Sequence, residues 1–141
     1  MDLLEFVQKH IKTKVDFDGF GGPQCMDLFR QYGQDVWQIP RTESLGEDGG
    51  AKDLVLRYNE FPIEKKHLAL ITDKWSGQEG DAAVWGATDK NKYGHVAIVL
   101  KALANGRLAV FEQDGFKRDG AKLAWRDNKN LIGLLRPWSK I

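Results

Sequence analysis

The chain has one cysteine, three histidines and almost no net charge, with 21 Lys and Arg set against 20 Asp and Glu in 141 residues. A single cysteine, Cys25, excludes an internal disulfide. The even charge leaves no polybasic strip, so neither nucleic acid nor an anionic membrane is the natural partner. No apolar run approaches the roughly 20 residues that span a bilayer, which argues against membrane insertion. The opening MDLLEFVQKH carries acids where a secretory leader carries bases, so the expectation is a chain without a signal peptide that stays in the cytoplasm of the cell making it. Repeats, low-complexity tracts and an inter-domain linker are missing as well. What is present, 42% hydrophobic residues, is enough for one core, and a single domain over residues 1–141, acting as a monomer, is expected.

The chain is organised around residues 15–28, VDFDGFGGPQCMDL. Counted from Asp16, this run fits part of the template of a calcium loop, in which oxygen ligands fall at positions 1, 3, 5, 7, 9 and 12 and glycine at 6. Asp16, Asp18 and Asp27 supply carboxylates, Gly21 stands at the turn, and Phe20 and Gly22 offer backbone carbonyls. Position 5 is apolar and position 12 is the shorter Asp, so the fit is partial; the alternative is a glycine-rich turn with three solvated aspartates. Cys25 lies in the same run. Met26, Leu28, Phe29 and Tyr32 follow at helical spacing up to Gly33, read as the stop, so Cys25 falls in the first turn of a helix. A helix N-terminus favours a thiolate, although a lone cysteine is more often a small buried hydrophobe.

Elsewhere, Leu3, Leu4, Val7 and Ile11 mark an amphipathic helix with His10 on or beside its stripe. Residues 34–50 are polar and turn-rich, a surface loop with room for one short helix. Leu54, Val55 and Tyr58 recur at helical spacing over 51–58, with Pro62 just beyond. From there the period changes. Residues 67–72, 80–86, 95–103, 107–113 and 131–135 read as strands, and Asn105-Gly106 signals a two-residue hairpin. Helices first and antiparallel strands afterwards indicate α+β, with the sheet at about residues 67–136.

A nucleophilic cysteine needs a base, and the base needs an orienting group. His95, behind Gly94 at the head of the strongest strand, is better placed than His10 or His67. Glu112 and Asp114 end the return strand. Simple hairpin pairing sets Glu112 against Val99 and His95 against residue 116, which puts both carboxylates within a few residues of the histidine end; a bulge or bend could bring either one close, and the residues alone do not choose between them.

Four segments, QCMDL (24–28), GDAAVWG (80–86), GHVAIV (94–99) and FEQDG (111–115), resemble in content and order the CHAP family, the cysteine, histidine-dependent amidohydrolases/peptidases. The resemblance runs over about residues 15–137. It implies a papain-like fold with N-terminal helices packed on a C-terminal antiparallel sheet. By motif it implies Cys25 as nucleophile, His95 as general base, Glu112 as orienting group and Gln24, with the Cys25 N–H, as oxyanion hole. The polar residue two places after the glutamate is typically Asn in the family and is Asp114 here. Some phage members carry an acidic loop before the cysteine that binds Ca2+, which implies ligands from Asp16, Asp18, Phe20, Gly22 and Asp27. The implied partner is bacterial peptidoglycan, cut as an endopeptidase or as an N-acetylmuramoyl-L-alanine amidase by an endolysin held in the host cytoplasm until lysis. Trp85 is a candidate groove residue and equally a core one. Two other readings stand beside this: a calcium-dependent wall-binding module with no catalysis, and an NlpC-type peptidase acting on another peptide.

Overall fold

The computed structural model describes residues 1–19, 22, 24–41, 49–117 and 119–141. Asp2 starts the first helix by accepting the Glu5 N–H at 2.8 Å, which satisfies one of the free donors of the first turn. α1 (Leu3–His10) buries Phe6, flanked by Leu3, Val7 and Ile11. Leu4, expected on that stripe, is exposed, because it stands about 100° round the helix from Leu3. α2 (Cys25–Asp35) buries Leu28, Phe29 and Tyr32. It runs through Gly33, where a stop was expected. Packing overrides propensity there, for Gly33 is buried and its carbonyl accepts the Ile39 N–H at 3.0 Å.

In the polar stretch expected as a loop with one short helix, residues 42–48 lie outside the described residues. The helix expected over 51–58 divides into α3 (Asp53–Leu56) and a 3-10 turn, Tyr58–Glu60. Pro62 then opens α4 (Pro62–His67) instead of closing a helix, since a first-turn position needs no N–H from it. His67 ends α4, so β1 (Leu68–Ile71) starts a residue later than expected.

β2 (Ala82–Trp85), β3 (His95–Ala102), β4 (Leu108–Glu112), β5 (Lys122–Arg126) and β6 (Leu131–Pro137) complete one antiparallel sheet of order β1-β6-β2-β3-β4-β5. β2 to β5 form a meander, and β6 returns between β1 and β2. β5 was not foreseen: KLAWR is a short, half-exposed edge strand without a strong β-favouring run.

The β3–β4 connection decides the register of the site. It is a 3-10 turn, Ala104–Gly106, with Asn105 and Gly106 at φ 61° and 74°, not the expected two-residue hairpin. Ala102 faces Leu108, and a bulge between Val99 and Lys101 slips the pairing again, so Ile98 faces Phe111. One step further along this register, Ala97 stands against Glu112, and His95 lies two residues from Ala97 on the same face. The longer turn and the bulge together bring the glutamate to the histidine.

The sheet is packed on both faces. Towards the helices, Val84, Val96 and Leu135 meet Phe29, while Ile98 and Phe111 meet Phe6, Leu28 and Tyr32. On the other face Ala83, Trp85, Ala97, Val99, Val110 and Leu134 pack among themselves. Each large side chain so buried contributes about 1.5–3 kcal/mol. This is the α+β arrangement expected from the order of periodicities. Among the described residues no helix is long and apolar enough to cross a membrane.

Candidate active site

Cys25 is the first residue of α2, and Gln24 before it is extended at φ -133°, ψ 170°. Asp27, two residues into the helix from Cys25, folds back on the entering chain: its carboxylate accepts the Gln24 N–H at 2.9 Å and the Phe17 N–H at 3.2 Å. The entry is fixed from the other side by Gln113, which is wholly buried just after β4. Gln113 accepts the Val15 N–H at 2.8 Å and donates to the carbonyls of Val15 at 2.7 Å and Gln24 at 2.9 Å. The segment carrying the acidic residues is thereby tied at both ends.

His95 opens β3 directly after Gly94, whose φ of +77° favours glycine. A Cβ on Gly94 would also stand 2.5 Å from the Trp85 carbonyl oxygen, so the approach of the chain to β2 requires the missing side chain. His95 Nε2 lies 3.1 Å from Glu112 Oε1. Cys25 acts on the same imidazole, its interaction and charge favouring the protonated ring. Burial alone would lower the His95 pKa, but the hydrogen bonds and charges of Cys25 and Glu112 outweigh it and push it up to about 9. Burial alone would likewise raise Glu112, and the hydrogen bonds and charges of His95 and Arg126 bring it down to about 2 instead. Glu112 is therefore a carboxylate at neutral pH, and its charge favours the imidazolium that forms when His95 accepts a proton.

Arg126 is the group that the sequence reading missed. From β5 its Nε and Nη2 both donate to the Glu112 carboxylate, the second at 2.9 Å. Its guanidinium carbon lies 5.6 Å from the centre of the Trp85 ring, which is itself 6.0 Å from the His95 ring and donates Nε1–H to the Asp127 carbonyl at 2.9 Å. A signal was available: KLAWR alternates and is bounded by Gly120 and by Asp127-Asn128, both turn-forming.

Asp114 reaches the same cleft, where its Oδ1 accepts the Phe116 N–H at 2.8 Å and caps the turn after β4. Gln24 faces that turn, since a Cβ on Gly115 would stand 3.1 Å from Gln24 Cγ. The cleft, about 430 Å3, is lined by Gln24, Cys25, Tyr93, Gly94, His95 and Asp114. Beyond His95 it continues into an open groove of about 680 Å3 lined by Trp85, Lys90, Trp125, Arg126, Asp127 and Asn130. Trp85 both lines this groove and is buried.

Asp16, Asp18 and Asp27 converge, each with a carboxylate oxygen within 4.8 Å of the others. Burial first, and then the like charges of Asp18 and Asp16, push Asp27 up to about 6. Three hard oxygen donors of one sign, one of them buried, suit a divalent cation. Arg30 Nη1 offsets part of that charge at 3.2 Å from Asp18 Oδ2. Gly22, at φ 78°, is within the described residues, and Phe20 lies outside them.

The CHAP domain family matches residues 15–114. Endolysin PlyTW of Staphylococcus phage Twort is 29% identical over 150 residues, covering 97% of this chain and 30% of PlyTW. The crystal structure of the wild-type endolysin LysIME-EF1 superposes with a TM-score of 0.72 at 24% identity, over 95% of this chain and 62% of that one. The crystal structure of an N-acetylmuramoyl-L-alanine amidase from Staphylococcus aureus superposes with a TM-score of 0.51 at 19% identity, over 88% of this chain and 33% of that one. The chain thus spans less than two thirds of each of these relatives. At such identities the structural likenesses speak for the fold.

Proposed function

The chain belongs to the CHAP domain family, and from that premise we propose that residues 1–141 are one catalytic domain of a peptidoglycan hydrolase of the phage endolysin kind. The observation that supports the reading is that Cys25 and His95 line one cleft, with buried Glu112 hydrogen-bonded to His95 behind it.

The reaction is acyl transfer at an amide bond of the wall peptide. His95 takes the Cys25 thiol proton, and the sulfur attacks the carbonyl carbon, forming C–S as the carbonyl π pair moves to oxygen. The Cys25 N–H and Gln24 hold that oxyanion at the start of α2. The intermediate collapses with cleavage of C–N, and His95 gives its proton to the departing amine. Water then enters, yields a proton to His95 and attacks the thioester. C–S breaks, the carboxyl product leaves and the thiol recovers its proton. Glu112 holds the imidazole in the orientation this exchange requires. Asp114 shapes the turn beside the cleft.

Asp16, Asp18 and Asp27, with backbone carbonyls of Phe20 and Gly22, are the proposed ligands of Ca2+. When bound, the ion supplies fixed positive charge to the segment entering α2. The substrate class is bacterial peptidoglycan, with an endopeptidase or N-acetylmuramoyl-L-alanine amidase cut, by a monomer that stays in the host cytoplasm until lysis.

Clearing of purified Gram-positive cell walls tests this, with wild type and Cys25→Ala each assayed in calcium and in EGTA. The expected result is clearing by wild type in calcium alone, with new amine or carboxyl termini in the fragments naming the bond. Equal clearing by Cys25→Ala removes the nucleophile assignment. Wall binding without bond cleavage by wild type, over walls from several hosts, favours a binding module.

A further inference from the structure

We propose that Arg126 is a positioning residue of the site: by gripping both carboxylate oxygens of Glu112 from β5, it fixes the oxygen that orients His95. This rests on the hydrolase reading and adds a fourth group to it.

Glu112 Oε1 is shared, since it meets His95 Nε2 and Arg126 Nε together, while Oε2 is engaged by Arg126 Nη2. A carboxylate held by one partner alone rotates about its last torsion, whereas a two-pronged grip allows one orientation. Glu112 is nearly wholly buried, so solvent does not replace a lost partner. The grip is itself braced. Arg126 lies over Trp85, Trp85 stands beside His95, and its indole N–H ties it to the loop after β5. His95, Glu112, Arg126 and Trp85 therefore form a closed ring of contacts around the base. A lysine carries the same charge but presents a point, not a fork, so it restores the field without the orientation. The charged groups facing Glu112 are His95 from β3 and Arg126 from β5, with Lys122 opposite it in register; Asp114 and Cys25 act on Arg126 in turn.

The test compares Arg126→Lys and Arg126→Gln with wild type and with Arg136→Gln. Arg136 grips buried Asp81 in the same two-pronged way, at 2.7 Å through both nitrogens, but away from the cleft. Two readouts are taken below each variant's melting temperature, kcat and KM for wall clearing and the pH profile of Cys25 alkylation by iodoacetamide, and thermal melting is recorded separately. Both Arg126 variants are expected to lose roughly tenfold or more in kcat with KM unchanged. The acid limb of the Arg126→Gln alkylation profile moves to higher pH, because Glu112 loses a cation that favours its ionised form, whereas in Arg126→Lys it stays nearer wild type. Arg136→Gln is expected to melt earlier with kcat and alkylation as in wild type. The proposal is overturned if the Arg126 variants also only melt earlier, if Arg126→Lys matches wild type in kcat, or if KM rises with kcat intact. That last result makes Arg126 a substrate contact in the groove. Should Arg126→Gln fail to fold, Arg126→Lys carries the comparison. Alkylation needs no wall, so it tests Arg126 even where Cys25→Ala clears walls and the hydrolase reading falls.

Discussion

Gln113 donates to the backbone carbonyl of Gln24 at 2.9 Å, joining the end of β4 to the residue before the cysteine across 89 positions of sequence. The strand that supplies Glu112 thus also sets the height at which α2 begins. Gln113→Leu leaves the Val15 N–H and two carbonyls buried without it, and a loss of about 3 kcal/mol is expected. Urea denaturation reads this directly. A change below about 1 kcal/mol would show that water replaces the amide there.

Glu112→Gln separates orientation from charge. The amide keeps the shape but leaves Arg126 without its anion, and Arg126 is itself partly exposed, which softens the cost to about 1–3 kcal/mol. His95 keeps Cys25 but loses the other of the two partners that raise it, so its titration, followed by the imidazole NMR signal, moves down from about 9. An unmoved titration would falsify the pairing of these two groups.

Stability should depend on pH with opposite signs at the two ends. Glu112 is depressed from 4.5 to about 2, so its contribution is complete above 4.5 and disappears as pH falls through 2. His95 is raised from 6.5 to about 9, so its contribution is complete below 6.5 and disappears as pH rises through 9. Denaturation midpoints measured from pH 2 to 10 should peak between these windows. In Glu112→Gln the acid-side fall should be smaller.

Calcium should raise the melting temperature. With an extracellular-type dissociation constant of roughly 0.1–1 mM, 10 mM calcium adds about 1.4–2.7 kcal/mol. Asp16→Asn and Asp18→Asn are expected to abolish most of that gain while folding without it. Titration calorimetry with no heat at several millimolar calcium would leave the acidic cluster as an unoccupied surface feature.

The positions of the candidate site residues were more legible in the sequence than the geometry between them. Cys25 at a helix start, His95 at a strand start and the three converging aspartates are all local patterns, and local patterns are readable. The pairing of His95 with Glu112 depends on a turn one residue longer than its Asn-Gly signal and on a bulge, neither of which has a sequence mark of its own. α4 was hidden because proline opens helices as well as ending them. Arg126 and Gln113 were hidden for a different reason: a lone arginine on an edge strand and a glutamine among acids become informative only through what they touch.

Among the described residues β5 pairs with β4 alone, and it exposes Leu123 and Trp125. Outermost strands are where sheets fray first. The far grip on Glu112 therefore hangs from an outermost strand, so fraying of this hem is expected to release Glu112 while α2, β2 and β3 stay intact. On warming, the proposed activity is then expected to fade before the fold itself does, and amide exchange along β5 to outpace that of the strands beside it.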